Sequence, residues 1–241
     1  MAERFFCPDL RAHALIVLTG DEAHHLARVR RLEVGQRIEL FDGTSDHAIL
    51  ATIQEISPKR VVARAETEVQ PRERLAVDLT LGVAFPKGER LDWLIEKAVE
   101  VGVSTIQPIL AARSVVDPRP AKLDRLRRHV IEASKQCGRN RLMRIEEPVR
   151  WETWVDKSDQ PTRLLAHPGG TQLPQWPSWQ MASRVALAIG PEGGFTEAEV
   201  EVAQLQNWTR VDLAPTILRI ETAALVGSAM IINRARGETL S

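Results

Sequence analysis

From Leu75 onward, short apolar runs alternate with stretches of helical periodicity. The clearest helix is Arg90 to Val101. Its apolar residues Leu91, Leu94, Ile95, Ala98 and Val99 fall at i, i+3, i+4, i+7 and i+8, the spacing of a single buried face. Gly102 then ends it. Further helices are predicted over about Ala121–Gln136, Thr196–Gln206 and Glu221–Arg234. Strands are predicted at Leu75–Ala84, Val103–Ile109, Leu142–Ile145, Arg163–Ala166, Val185–Ile189 and Arg210–Leu213. This alternation implies an α/β domain built on a parallel sheet with helices on both faces. The first 70 residues read differently. Strands at Ala14–Leu18, Arg37–Phe41, Ala48–Ile56 and Val61–Val69, with one helix at Glu22–Arg31, suggest a small barrel. The polar segment Gln70-Pro71-Arg72-Glu73-Arg74 divides the two, giving domains of 1–70 and 74–241.

Within the second domain the run Val185–Phe195, VALAIGPEGGF, holds the first candidate chemistry. A buried strand breaks at Gly190-Pro191-Glu192-Gly193-Gly194, and a helix follows at once. Thr196 and Glu199 have capping-box spacing. Adjacent glycines let a ligand approach the backbone, and the carboxyl end of such a strand is where α/β proteins bind ligands. An ordinary tight connection that binds nothing fits the spacing equally well. The loop is not a familiar phosphate cradle, for the chain lacks both GxGxxG at this point and GxxxxGK[ST] anywhere. Glu192 would repel a phosphate, so a cationic or zwitterionic cofactor suits the loop better. The stretch His167–Ser183, rich in Pro, Gly, Gln and Trp, reads as a long irregular loop.

A second candidate stretch is Leu213–Ala223, LAPTILRIETA. A strand turns at Ala214-Pro215, and Arg219 and Glu221 open a helix. A carboxylate at a helix start is favoured by the macrodipole alone. The small residues Ala223, Ala224, Gly227, Ser228 and Ala229 allow close helix packing, in the core or against a second copy.

Charge changes the picture only through its distribution. Lys plus Arg and Asp plus Glu both number 32. Yet residues 119–150 carry ten basic and four acidic side chains, and Arg28, Arg30 and Arg31 lie beside His24 and His25. Solvated helix faces would look like this. Two arginine-rich clusters in two domains favour a phosphate backbone. The acids Glu192, Glu197, Glu199 and Glu201 are expected on a face turned away from nucleic acid. Two cysteines without paired spacing suggest neither a disulfide framework nor a zinc site, and no metal is expected. The N-terminus lacks a signal-peptide core, and no apolar run nears the ~20 residues of a membrane span. A soluble cytoplasmic protein is expected.

These stretches together resemble the RsmE family, which methylates N3 of a uridine in small-subunit ribosomal RNA and belongs to the SPOUT class of S-adenosylmethionine-dependent methyltransferases. The match is carried by His24-His25-Leu26 with Val29, Arg31-Leu32 and Gly35; by Lys87-Gly88, Leu94 to Ala98 and Glu100 to Val103; by Arg113-Ser114; by Ala133, Gln136 and Gly138-Arg139; by Ile189 to Phe195; and by Ile217-Leu218-Arg219 with Glu221-Thr222-Ala223. GPEGGF together with LRxETA is a specific pair. Ala214, Thr216, Ile220 and Arg30 depart from the family pattern.

The resemblance implies a small N-terminal PUA-like β-barrel followed by a SPOUT α/β domain with a C-terminal trefoil knot, at about 163–241. It implies that three loops bind S-adenosylmethionine: Leu165, Ala166 and His167; Ile189, Gly190, Pro191, Glu192, Gly193 and Gly194; and Leu213, Ile217 and Leu218. Arg219 and Glu221 become the candidate catalytic residues, Glu221 as base or as the partner that orients Arg219. A purely structural Arg219–Glu221 pair is the competing reading. Arg28, Arg30, Arg31, Arg113, Arg139 and Arg141 become candidate RNA contacts. The expected partners are ribosomal RNA, in the assembled small subunit, and a second copy in a homodimer. A non-catalytic RNA-binding or ribosome-assembly factor, or a methyltransferase acting on another nucleotide, are the alternatives.

Overall fold

The computed structural model describes residues 2–10, 15–57, 59–69, 77–172 and 184–239. The proposed boundary 70–74 and most of the expected 167–183 loop lie outside them. The chain divides into two compact units, Met1–Arg74 with Ile131–Leu142, and Leu75–Val130 with Met143–Ser241. A cut at one point in the sequence does not anticipate the return of 131–142 to the first unit.

The first unit is one sheet. Its strands are β1 (Glu3–Phe6), β2 (Leu15–Thr19), β3 (Arg37–Phe41), β4 (Ala48–Ser57) and β5 (Arg60–Val69), in the order β1-β3-β4-β5-β2. All neighbours are antiparallel except β1 and β3. Two register shifts in the β4–β5 ladder bend the long strands. Phe5, Leu18, Leu26, Ile38, Leu40 and Ile53 close the core on one face. The helix expected at Glu22–Arg31 is shorter: α1 (Gly20–His24) passes into a single π-type turn at His25–Val29. Strand β1 was not expected, because four residues beside a proline give no usable period. The end of helix α3 (Pro120–Cys137) and the segment after it are bound to this sheet. Lys135 pairs with Glu22, the Asn140 side chain donates to the Asp46 carbonyl at 2.7 Å, and Arg141 pairs with Asp46 at 3.1 Å.

The second unit is a parallel sheet in the order β12-β10-β11-β6-β7-β8, with β9 also paired to β7. Its strands are β6 (Asp78–Val83), β7 (Thr105–Leu110), β8 (Arg144–Ile145), β9 (Val149–Arg150), β10 (Thr162–Thr171), β11 (Arg184–Ile189) and β12 (Thr209–Val211). The helices are α2 (Glu89–Val101), α3, α4 (Trp151–Lys157), α5 (Glu197–Leu205) and α6 (Ile220–Thr239). Alternate residues of β11 point to opposite faces. Ala186 and Ala188 join the cluster of Trp151, Trp154, Phe195, Val200 and Trp208 beneath α4 and α5. Leu187 faces Gly227 of α6, which packs against α2. Both faces are therefore covered, as the alternation predicts.

Helix α4 and strand β9 were not expected. Their signal is the pair Trp151 and Trp154 at i and i+3, and the aromatic cluster they enter is dense. Trp151 stacks on Phe195 with ring centroids 4.3 Å apart, and Trp154 lies 4.9 Å from Trp208. The Trp154 ring covers Gly82 of β6 so closely that a Cβ there would fall 2.1 Å from it. Within the expected long loop, His167–Thr171 extends β10 as a strand. No helix among the described residues is long and apolar enough to cross a membrane.

Candidate active site

Three adjacent strands bring the sequence-derived loops to one sheet edge. Leu165 is in register with Ala188 of β11 on one side and with Arg210 of β12 on the other. The strands run parallel, so Ala166, midway along β10, lies level with the ends of β11 at Ile189 and β12 at Val211. With neighbours ~4.8 Å apart, Ile189 and Val211 lie roughly 10 Å from each other. The loops Ile189–Gly194 and Leu213–Leu218 thus begin on either side of Leu165–His167, which is not a loop as expected but part of β10. Leu165 and Ile189 are buried, and Ala166, His167, Leu213 and Leu218 half-buried, while Ile217 is 89% exposed. Asp212 ties the last part of β10 to the loop after β12: its carboxylate accepts from the Gly169 N–H at 3.2 Å and the Ala214 N–H at 3.3 Å. An open cavity of about 470 Å³ is lined by Gly169, Gly170, Thr171, Gln204, Trp208, Thr209 and Arg210, with no residue from Ile189–Gly194 or Leu213–Leu218.

The glycine loop is a tight turn closed by the Gly194 N–H donating to the Pro191 carbonyl at 2.8 Å. Gly194 has φ +69°, and no atom lies within 4 Å of where its Cβ would be. A side chain would be strained there, and the backbone is open to a ligand. The capping box at Thr196 and Glu199 forms as expected: Glu199 Oε2 accepts from the Thr196 N–H at 2.7 Å, and the Thr196 hydroxyl accepts from the Glu199 N–H at 3.3 Å. Glu199 does not share an outward acidic face with Glu192, Glu197 and Glu201. It is buried, and its second oxygen accepts the Ala112 N–H at 2.7 Å. With the Thr196 hydroxyl also donating to Oε2 at 3.0 Å, the carboxylate takes up three donors and is held inward.

Glu221 sits in the first turn of α6 and is 7% exposed. Among the described residues no ion pair joins it to Arg219, which is exposed. Residues two apart at a helix start do not face each other. The cation beside Glu221 is instead Arg90, from the first turn of α2. Its guanidinium lies 3.9 Å from Glu221 and 3.6 Å from Glu192 of the glycine loop. Sequence reasoning missed Arg90. It lies in the matched Lys87–Val103 block, but nothing local distinguishes it from a solvated helix arginine.

An RNA methyltransferase domain model matches residues 73–232, and an RNA methyltransferase PUA domain model matches residues 18–66. Ribosomal RNA small subunit methyltransferase E of a Synechocystis strain is 31% identical over 232 residues, covering 93% of this chain and 75% of its own. This chain belongs to the RsmE family. The Bacillus subtilis RsmE is 30% identical, covering 89% of this chain and 88% of its own. The crystal structure of the Neisseria gonorrhoeae RsmE, bound to S-adenosyl methionine, superposes with a TM-score of 0.90 at 28% identity, covering 97% of this chain and 98% of that one. The fold is therefore the SPOUT-type α/β domain with a PUA-like N-terminal unit that the RsmE resemblance implies.

The arginines singled out for RNA divide between the units of this RsmE chain. Arg28, Arg30 and Arg31 are exposed on and just after the π-type turn. Arg30 is engaged by Glu3 through two bonds of 2.5 Å, and these bonds raise its pKa above the ordinary arginine value. Arg139 is half-buried, with its carbonyl accepting from Arg4 at 3.3 Å. Arg141 is exposed and paired with Asp46. Arg113 belongs to the second unit, where its Nη1 donates to the Gly193 carbonyl at 2.5 Å.

Proposed function

We propose that this protein transfers a methyl group from S-adenosylmethionine to N3 of a uridine in small-subunit ribosomal RNA, in the assembled subunit and in the cytoplasm. The reading rests on membership of the RsmE family, and one observation carries it: Leu165–His167 of β10 lies between the ends of β11 and β12, from which the loops Ile189–Gly194 and Leu213–Leu218 depart. The loops fit the cofactor physically. Gly194 leaves open backbone, and two carboxylates against one guanidinium suit a ligand with a cationic centre. Leu165–His167, Ile189–Gly194 and Leu213–Leu218 would hold it.

When bound, the cofactor supplies an electrophilic methyl group on a sulfonium. The protein's part is alignment and proton handling. Displacement at a methyl carbon is in line, so fixing the acceptor nitrogen on that line supplies much of the rate gain. The uridine N3–H must lose its proton, and Glu221 is the group assigned to take it. Its carboxylate has a buried oxygen, Oε2, that meets no hydrogen-bond donor among the described residues, as a base awaiting its proton requires. Arg219, exposed one residue before α6, is assigned to the RNA phosphate or to the negative charge that develops on the base. Arg28, Arg31 and Arg141 are assigned to the RNA backbone.

Two further features complete the reading. A second copy is assigned to the outward face of α6, where Val226, Ala229 and Met230 are only half-buried. The C-terminal trefoil knot, at about 163–241, is assigned from membership of the RsmE family alone.

The test is incubation with labelled cofactor and either naked ribosomal RNA or assembled small subunits, followed by mapping of the modified nucleotide. Label at one uridine N3, greater in the subunit, is expected. Label elsewhere, or none in either substrate, overturns the assignment. Glu221→Gln separates chemistry from packing: an unchanged methylation rate across pH removes Glu221 from the proton transfer.

A further inference from the structure

We propose that Arg113 is a positioning residue that braces the glycine loop, and that its segment Ala111–Ser114, which follows β7, is a fourth structural element of the cofactor site. The proposal rests on the reading of Ile189–Gly194 as cofactor-binding.

Four observations converge on this brace. The peptide unit joining Gly193 to Gly194 is held at both ends: its carbonyl accepts from Arg113 Nη1 at 2.5 Å, and its N–H donates to the Pro191 carbonyl at 2.8 Å. The Arg113 stem lies over the same glycine, so a Cβ on Gly193 would fall 3.0 Å from Arg113 Cδ. The buried Glu199 carboxylate bonds the Ala112 N–H at 2.7 Å with one oxygen and the Thr196 N–H at 2.7 Å with the other. It thus ties this segment to the helix that follows the loop. The segment is itself a fixed turn, with the Ala111 N–H donating to the Ser114 hydroxyl at 2.9 Å and the Ser114 N–H to the Ala111 carbonyl at 3.0 Å.

The physical consequence concerns preorganisation. Glycine-rich loops have much conformational freedom to lose, and a ligand that must order such a loop binds more weakly. A guanidinium bonded to the Gly193 carbonyl, on a stem packed over the Cα of the same residue, removes that freedom before the ligand arrives. Its hydrogen bond to an uncharged carbonyl also gives Arg113 a role that a phosphate contact would not explain. The conservative Arg113→Lys change keeps the charge and N–H donors on a flexible stem but not the planar fork.

The test measures S-adenosylmethionine affinity by calorimetry and RNA affinity across a salt series, on the full chain, for wild type, Arg113→Gln, Arg113→Lys and Gly194→Val. Arg113→Gln should weaken the cofactor about tenfold, with Arg113→Lys between it and wild type. RNA affinity without cofactor, and its dependence on salt, should not change. Cofactor affinity within twofold of wild type in Arg113→Gln overturns the brace. So does a weaker, less salt-dependent RNA complex, which marks a phosphate contact. Gly194→Val alters the loop directly. If it binds cofactor like wild type, the reading of the loop fails; if it loses binding while Arg113→Gln keeps it, the brace alone fails.

Discussion

The Arg90 guanidinium lies 3.9 Å from Oε2 of Glu221, a buried oxygen with no hydrogen-bond donor among the described residues, and 3.6 Å from Glu192 on the glycine loop. Both separations exceed hydrogen-bonding length, so the attraction is one of charge, shared between two carboxylates. Arg90 is partly exposed, so its contribution to folding is small. Its effect should fall on activity. Arg90→Gln is expected to lower the methylation rate at saturating cofactor by about tenfold while moving the thermal midpoint by less than about 4 °C. Arg90→Lys should retain part of the rate. Steady-state kinetics with a melting curve checks this, and a full rate in Arg90→Gln removes the guanidinium from the site.

Glu199 gives the opposite expectation, because it is buried and fully bonded. Glu199→Ala removes the capping box and strands the Ala112 and Thr196 N–H groups. A cap contributes ~1 kcal/mol and each bond to a charged acceptor ~1.5–3 kcal/mol. A loss of about 3 kcal/mol is expected, or roughly 6–12 °C in the melting midpoint at ~2–4 °C per kcal/mol. Denaturant titration of the variant reads this, and a change within about 0.5 kcal/mol would contradict the bonding described.

Gly227 tests whether the small-residue stretch of α6 serves the protein's own core. A Cβ there would fall 2.7 Å from Leu187 Cδ2, and Leu187 is fully enclosed on β11. Ala is favoured over Gly within a helix by ~1 kcal/mol, but overpacking costs ~1–3 kcal/mol. Gly227→Ala should therefore come out destabilised, by about 1 kcal/mol. A gain in stability would show that Leu187 has room to move.

The two cysteines should differ in reactivity. Burial pushes the Cys7 thiol up from its usual range, against the opposing hydrogen bond from the Asp9 backbone. Less thiolate and little access both slow alkylation. Cys137 is exposed. Iodoacetamide at pH 8 should label Cys137 first and reach Cys7 only on unfolding, which mass spectrometry of timed digests will show.

The legible parts of the fold were those carried by local signals. Helix α2 follows from its apolar spacing and Gly102, and α5 from the Thr196–Glu199 cap. Strands β3 and β11 follow from short apolar runs beside turn residues. Short elements with little periodicity were not legible: β1, β9 and α4, the last marked only by two tryptophans. The site was legible as far as the residues on its loops. Arg90 and the Ala111–Ser114 brace were not, because their roles depend on contacts between distant positions, 90 with 192 and 221, 113 with 193. The inward turn of Glu199 was hidden for the same reason. Its neighbours in sequence are outward-facing acids, and the Ala112 N–H it bonds comes from 87 residues earlier.

The place of β11 carries a consequence for biosynthesis. This strand, residues 184–189, sits between β10 and β6, pairing with a segment that left the ribosome more than a hundred residues before it. Until β11 emerges, the edges of β6 and β10 have no neighbour on that side, and the apolar surface beneath α4 lacks Ala186 and Ala188. Pairings of such long separation form slowly and leave unpaired edges exposed meanwhile. A nascent chain arrested before residue 184 would thus present a split sheet to chaperones and to other growing chains, while the N-terminal ladder, complete by Val69, could already be formed.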